Sequence, residues 1–147
     1  MRNLLRKANN ILLLSIKPQF VYKLLNGSKT TELRRVKPRV IEGDIVLIYE
    51  TSPTMALVGY AIVESVTVEC PDKLWKKIKT RSGITKSEFD QYYEGAEIGY
   101  AINFSDVNAL VVPISLPSLR KKVKGFHPPQ SYRYLCHNQA SSICMAS

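Results

Sequence analysis

Short apolar runs separated by Gly, Pro and Asn-Gly breaks predict a chain of alternating strands and helices. Residues 11–16 form an apolar run, which predicts a strand that is buried on both faces. Pro18 suits the first turn of a following helix, and Asn26-Gly27 is a typical helix end. Residues 29–35 and 45–51 then predict the second and third strands.

The second half of the chain continues the alternation. The pattern predicts a long strand over residues 55–68, helices over residues 71–79 and 85–93, and strands over residues 98–104 and 109–114. A short basic helix or turn over residues 116–123 and a last strand over residues 130–135 follow. Thr85 and Glu88 have the spacing of a capping box, and Phe89, Tyr92 and Tyr93 form the expected buried stripe of that helix.

These elements predict one α+β domain over residues 11–135, with a mostly antiparallel, barrel-like sheet and inserted or flanking helices. Residues 1–10 are expected to form a basic N-terminal arm. Residues 136–147 are small and polar, and we expect a poorly structured tail there.

Composition limits the kinds of partner. The chain has 147 residues, a formal net charge of +9 and a pI near 9.6, which favours a polyanionic partner, nucleic acid first. The apolar run at residues 11–14 is too short to span a bilayer, and no membrane partner is expected. The odd set of Cys70, Cys136 and Cys144 does not indicate a disulfide framework, so the cytoplasm is the expected compartment.

The segment over residues 27–35 carries the strongest candidate chemistry. On an ideal strand Lys29, Thr31, Leu33 and Arg35 share one face, whereas Thr30, Glu32 and Arg34 share the other. A carboxylate among cations just after a Gly turn suits the binding of a polar ligand. The alternative, an edge strand that charge protects from aggregation, stays open.

Several motifs resemble the ASCH domain of the PUA-like superfamily. The first is Lys17-Pro18 after the apolar run, then Gly27-x-Lys29-x-x-Glu32-x-Arg34. The other matching blocks, in order, are Tyr49-Glu50-Thr51-Ser52-Pro53, Val58-Gly59-Tyr60, Leu74-Trp75, Gly83-Ile84-Thr85, Gly99-Tyr100-Ala101-Ile102 and Pro128-Pro129-Gln130-Ser131-Tyr132-Arg133-Tyr134-Leu135. The resemblance covers residues 11–135 and implies a PUA-like β-barrel with a cleft lined by Lys29, Glu32 and Arg34.

The same resemblance implies binding of RNA or a modified nucleoside, in RNA processing or transcription-related regulation. Cations would neutralise phosphates, and Tyr49, Tyr60, Tyr132 and Tyr134 are possible stacking surfaces. Core packing of these tyrosines, and a bracing ion-pair network around Glu32, are the structural alternatives. The candidate ligand-binding residues are Lys17, Lys29, Glu32, Arg34, Arg35, Tyr49, Ser52, Gln130, Ser131 and Arg133.

Enzymatic activity stays open at this point, with Lys29 and Glu32 as the candidate catalytic residues. Some small ASCH proteins resemble this chain and deacetylate N4-acetylcytidine with a Lys, a Thr and a Glu. Lys29 is present, but Glu32 occupies the Thr position and the acidic position falls near Ser82. A ribonuclease that uses Glu32 with Lys29, Lys17 or Arg34 is the other hydrolase hypothesis. A basic interaction module without cleft chemistry is the third hypothesis.

No cofactor or metal is expected. Cys136, His137 and Cys144 do not have a usual zinc spacing, and Asn26-Gly27-Ser28-Lys29 lacks the spacing of a phosphate-binding loop. His127 is expected in a loop. The sequence makes no prediction of the oligomeric state.

Overall fold

A computed structural model describes residues 1–144, which form six helices and six strands. None of these helices has the length and hydropathy that crossing a bilayer requires. In chain order the elements are α1 (Arg2–Lys7), β1 (Ile11–Ile16), α2 (Pro18–Leu25), β2 (Thr31–Arg34), β3 (Ile45–Glu50), β4 (Ala56–Glu69), α3 (Pro71–Ile78), α4 (Lys86–Tyr92), β5 (Gly99–Ser115), α5 (Leu116–Lys122), β6 (Tyr132–Leu135) and α6 (His137–Cys144).

The strands form one curled sheet in the order β2-β5-β4-β3-β1-β6, so β2 and β6 are its two edges. β1 and β3 are parallel, with Ile11 opposite Ile45 and Ile16 opposite Glu50, and the other pairs are antiparallel. The expected α+β class and the mostly antiparallel sheet are therefore confirmed. The two strands predicted over residues 98–104 and 109–114 are instead one strand, β5, with irregular register against β4.

Both faces of β1 are covered, as its continuous apolar run predicted. Leu12 and Leu14 pack with Val21 and Leu24 of α2 inside the curl. Leu13, on the other face of β1, belongs to a cluster that includes side chains of α1, α5 and α6. A third cluster joins α3 and α4 to β2 and β5 through Leu33, Leu74, Ile78, Phe89, Tyr93 and Ala101.

The two chain ends are more ordered than expected. Residues 2–7 of the predicted arm form α1, and residues 137–144 of the predicted tail form α6. Leu5, Ala140 and Ile143 are buried in one cluster, because the three-residue spacing of Ala140 and Ile143 places both on one helix face. His137 Nε2 also lies 2.7 Å from the carbonyl oxygen of Ala8. Residues 145–147 of the predicted tail lie outside the described residues.

Side chains bridge the two edges of the curled sheet, and we call this junction the seam. The Arg34 guanidinium of β2 donates to Ser131 Oγ beside β6 and lies 5.1 Å from the Tyr132 ring centroid. The Arg39 guanidinium lies 4.3 Å from the centroid of the Tyr134 ring, and the Arg39 N–H donates to the Tyr134 hydroxyl at 2.6 Å. The seam therefore joins β2 and the segment after it to β6 through two arginine–tyrosine pairs.

The seam hydrogen bond of Tyr134 gives a stability prediction. Tyr134→Phe removes the acceptor of the Arg39 N–H and should lower the free energy of unfolding by about 1 kcal/mol, measured by urea denaturation. Tyr132→Phe is the matched control on the same strand, because no hydrogen bond of the Tyr132 hydroxyl occurs within residues 1–144. Equal losses in the two variants would contradict this assignment.

Candidate functional site

Three consecutive carbonyl groups of residues 81–83, between α3 and α4, accept hydrogen bonds from the segment before β2. The Thr30 N–H donates to the first at 2.9 Å, Lys29 Nζ to the second at 2.7 Å, and Lys23 Nζ to the third at 2.6 Å. We call this arrangement the carbonyl clamp. It fixes the loop that leads into α4 against the end of α2 and the start of β2.

Gly83 is required for the close approach within the carbonyl clamp. Its φ is +68°, a conformation that other L-residues rarely adopt. A Cβ atom at this position would lie 3.1 Å from Lys29 Cβ and 3.2 Å from Lys23 Cδ. The absence of a side chain at Gly83 therefore makes room for two lysine side chains.

Lys29 is a buried cation, with only 3% of the residue exposed. Burial lowers the pKa of the Lys29 ammonium below 10.5, the nearby Glu32 carboxylate opposes that change, and Lys23 adds to it. One N–H of the ammonium is used by the carbonyl of Ser82. An ammonium has three donors, so the others remain for the space beside Lys29.

That space is a cavity of about 350 Å³ between α2, β2 and α4. Lys29 and Glu32 contribute its charged groups from the β2 segment, and Glu88 contributes a third from α4. Phe20 and Tyr92 are its aromatic wall residues. The complete lining is Phe20, Lys29, Glu32, Leu33, Ile84, Glu88, Gln91 and Tyr92.

Glu32 is the unsatisfied group of the cavity. Its Oε2 is buried and has no hydrogen-bond partner within residues 1–144, and none of the ion pairs there involves Glu32. The bracing ion-pair network that the sequence left open for Glu32 is therefore not found among the described residues. A buried carboxylate oxygen without a donor is costly, and a ligand that donates to it would remove that cost.

The strand phase around Lys29 also differs from the prediction. β2 begins at Thr31 rather than at Lys29, so Lys29 does not follow the strand alternation. Lys29 and Glu32 therefore line one cavity instead of opposite faces. Thr31, expected beside Lys29, is fully buried and donates its hydroxyl to Asn103 Oδ1 at 2.9 Å.

Arg34 and Ser131 meet at the seam rather than in the cavity. Arg34 is two residues beyond Glu32 on the same face of β2, so the cavity and the seam are neighbours. Lys17 and Gln130 are exposed close by: Lys17 follows the end of β1, and the Ser15 N–H of β1 donates to the carbonyl of Ser131 at 3.0 Å.

Four other predicted ligand residues lie elsewhere. Arg35 donates to the carbonyl oxygens of Tyr92 and Glu94 at 2.8 and 3.1 Å, which caps the end of α4. The Arg133 guanidinium lies 5.9 Å from the Phe126 ring centroid. Tyr49 is 2% exposed in the cluster of α1, α5 and α6, where burial raises its pKa. Ser52 is exposed in the turn between β3 and β4.

Of the other tyrosines considered for stacking, Tyr60 packs against the same cluster as Tyr49, whereas Tyr132 is 37% exposed at the seam.

The residues that form the walls of the cavity were not predicted from the sequence. Tyr92 was expected in the buried stripe of α4, but it is 38% exposed, and its hydroxyl donates to the carbonyl of Leu33 at 3.2 Å. The spacing of Glu88, Gln91 and Tyr92 places the three on one face of α4 and was the available signal.

Within residues 1–144, no group of three or more His, Cys, Asp or Glu side chains is placed to hold a metal ion.

Comparison with known proteins identifies the class of this chain. The model of the ASCH domain family matches residues 14–114, more than half of the chain. The chain therefore belongs to the ASCH domain family, of the PUA-like superfamily, as the sequence motifs predicted.

The chain is similar to proteins from Zymomonas mobilis and Ureaplasma parvum. A protein named ASCH domain-containing ribonuclease, from Zymomonas mobilis, is 28% identical over 130 residues, which cover 88% of this chain and 87% of that protein. The crystal structure of ASCH from Zymomonas mobilis has a TM-score of 0.84 at 26% identity, and the match covers 90% of this chain and 92% of that one. The large ribosomal subunit protein uL22 of Ureaplasma parvum is 42% identical over 57 residues, or 39% of this chain and 18% of that protein.

The buried Lys29 gives a pH prediction. Lys29→Met leaves the Ser82 carbonyl without this donor and should lower the free energy of unfolding by about 1–3 kcal/mol, whereas Lys23→Met, at a more exposed position, should cost less. The folded-state pKa of Lys29 lies below the unfolded value of 10.5, so between these values the unfolded chain binds more protons. The stability of the parent protein relative to Lys29→Met should therefore rise with pH in that range.

Urea denaturation of both variants at a series of alkaline pH values measures this difference. The measured quantity is the free energy of unfolding of the parent protein minus that of Lys29→Met. A fall of this difference with rising pH would contradict the direction of the pKa change. The exposed substitution Lys79→Met is the control and should show no such trend.

Proposed function

We propose that this ASCH domain binds RNA, with the phosphate backbone at the seam and one nucleotide in the cavity. The observation that carries the proposal is the adjacency of two unlike surfaces on β2. Arg34 and Ser131 lie at the seam, and the cavity with Lys29 and Glu32 begins two residues away.

The seam has the chemistry of a single-stranded RNA surface. The guanidinium groups of Arg34 and Arg39 lie over the rings of Tyr132 and Tyr134, so cations and aromatic rings alternate there. Cations bind phosphates, and an exposed tyrosine ring offers a surface on which a base stacks. The net charge of +9 and the relative named a ribonuclease support the same partner.

We also propose a cytoplasmic location, because the three cysteines are free thiols.

RNA hydrolysis is the second candidate function. It rests on a buried amine of lowered pKa beside an unpartnered carboxylate, and on the name of the Zymomonas mobilis relative. In such a reaction Glu32 would accept the proton of the 2′-hydroxyl, whose oxygen would attack the adjacent phosphorus. The bond from phosphorus to the 5′-oxygen would break, and the Lys29 ammonium would donate a proton to that leaving oxygen, which gives a 2′,3′-cyclic phosphate and a free 5′-hydroxyl. If the parent protein cleaves RNA and Glu32→Gln abolishes that cleavage, the result would support hydrolysis over binding alone.

RNA binding should depend steeply on salt. If about six phosphates are contacted, affinity should fall by about a thousandfold between about 50 and 200 mM salt, measured by fluorescence anisotropy with a single-stranded RNA. Arg34→Gln should weaken binding to all sequences and reduce the salt slope by about one.

Lys79→Gln removes an exposed cation away from the seam and is the charge-matched control. Melting temperatures of both variants separate a folding defect from a binding defect. No binding at low salt would exclude the proposed function and favour a basic interaction module without cleft chemistry.

Deacetylation of N4-acetylcytidine should not occur. Glu32 stands where the hydrolases that this chain resembles have a threonine, and Ser82 presents its carbonyl, not a carboxylate, to Lys29. Thr31 does not substitute, because it is fully buried and its hydroxyl donates a hydrogen bond to Asn103 Oδ1 of β5. Incubation with the acetylated nucleoside and chromatographic detection of cytidine tests this expectation. Turnover that Lys29→Ala abolishes would refute it.

A further inference from the structure

We propose that the cavity between α2, β2 and α4 selects a guanine base, read by Glu32 and Lys29. The inference rests on the proposed RNA binding and names the nucleotide that this cavity accepts. It follows from the hydrogen-bonding groups that the cavity leaves unused, from its charge and from its size.

The first argument is the hydrogen-bonding inventory. The Glu32 carboxylate offers two acceptor oxygens, and the buried Oε2 has no donor within residues 1–144. The Lys29 ammonium keeps donors after its bond to the Ser82 carbonyl. No ion pair within 4.0 Å joins these two groups in the described part of the chain, so neither is used up by the other. That edge must present donors to Glu32 and an acceptor to Lys29.

The second argument is charge. The cavity contains the carboxylates of Glu32 and Glu88 and the single ammonium of Lys29, so its formal charge is negative in a strongly basic protein. Glu88 Oε1 accepts the Thr85 N–H, as a capping-box residue does, and is used by the fold. A phosphate is therefore disfavoured inside the cavity. A neutral base with several N–H donors is favoured.

The third argument is size and shape. A volume of about 350 Å³ lies near the lower limit for small-molecule sites, which suits a single nucleobase with its sugar. Phe20 and Tyr92 provide aromatic rings, and Leu33 and Ile84 provide aliphatic surface. These walls match the flat, apolar faces of a base.

Guanine fits this combination best among the four bases. Its N1–H and N2 amino group are adjacent donors, which can satisfy both oxygens of one carboxylate, and its O6 is the acceptor next to them. Adenine and cytosine present one amino donor beside a ring-nitrogen acceptor, and uracil presents one N–H between two carbonyls. Each of these leaves one oxygen of Glu32 without a donor from the base edge.

The experiment compares oligouridylates that carry one central guanosine, inosine, adenosine or cytidine, by fluorescence anisotropy at one salt concentration. Guanosine should bind about tenfold more tightly than adenosine or cytidine, which corresponds to about 1.4 kcal/mol. Inosine, which lacks the N2 amino group, should lie between them. Glu32→Gln should remove the preference while salt-dependent binding of plain oligouridylate remains.

Glu97→Gln is the matched control, because Glu97 is an exposed acid outside the cavity lining. Free guanosine and free inosine, titrated by calorimetry, test the cavity without the RNA backbone. Equal affinities for all four oligonucleotides, with salt-dependent binding intact, would overturn the guanine inference and leave RNA binding standing. Absent RNA binding together with binding of guanosine would overturn the proposed function alone. Absence of both would overturn the two together.

Discussion

The carbonyl clamp is the constraint on which the site depends. Two ammonium groups and one backbone N–H bind three consecutive carbonyls, so the loop of residues 81–83 has little freedom relative to β2. Because α4 begins three residues after this loop, the clamp also fixes the helix that provides Glu88, Gln91 and Tyr92. Removing any donor would leave a carbonyl to be satisfied by water, and the Ser82 carbonyl bonds a cation that is nearly inaccessible to water.

Lys29 therefore has a structural role that does not exclude a role toward ligand. Its burial disfavours the charged form, and the Glu32 carboxylate offsets part of that cost. The two groups are coupled electrostatically but not paired within 4.0 Å in the described residues, which leaves hydrogen-bonding capacity on both. If Lys29 and Glu32 formed an ion pair with each other, they would brace the sheet and would leave fewer hydrogen-bonding groups for a ligand.

The sequence predicted the elements well where one physical signal was sufficient. Apolar runs marked β1 and β3, and the capping box of Thr85 and Glu88 marked the start of α4, as the structure confirms. The phase of Lys29 was wrong because alternation holds only within a strand, and β2 begins two residues later. α1 and α6 were missed because neither has strong intrinsic signals: each is stabilised by burial against the other and the sheet.

The candidate site was predicted at the level of its polar groups but not of its walls. Lys29 and Glu32 could be found from a local motif, whereas Phe20 of α2 and Tyr92 of α4 meet them only through the tertiary fold. The same limit explains Arg35 and Tyr49, whose residue types suit RNA but whose side chains cap α4 and fill the core. Burial and partner carbonyls decide between these roles, and a sequence pattern contains neither.

Charge is divided between the two surfaces of the site, and the division bears on affinity and selectivity. The seam carries arginines over tyrosine rings, and such contacts attract any phosphate backbone without distinguishing bases. The cavity carries a net acidic set of groups and a carboxylate oxygen that lacks a donor. A base that satisfies this oxygen gains free energy that other bases do not, because a mismatched edge leaves the buried acceptor unpaired. Affinity would then come mainly from the seam and discrimination from Glu32, so the two properties should respond to different substitutions.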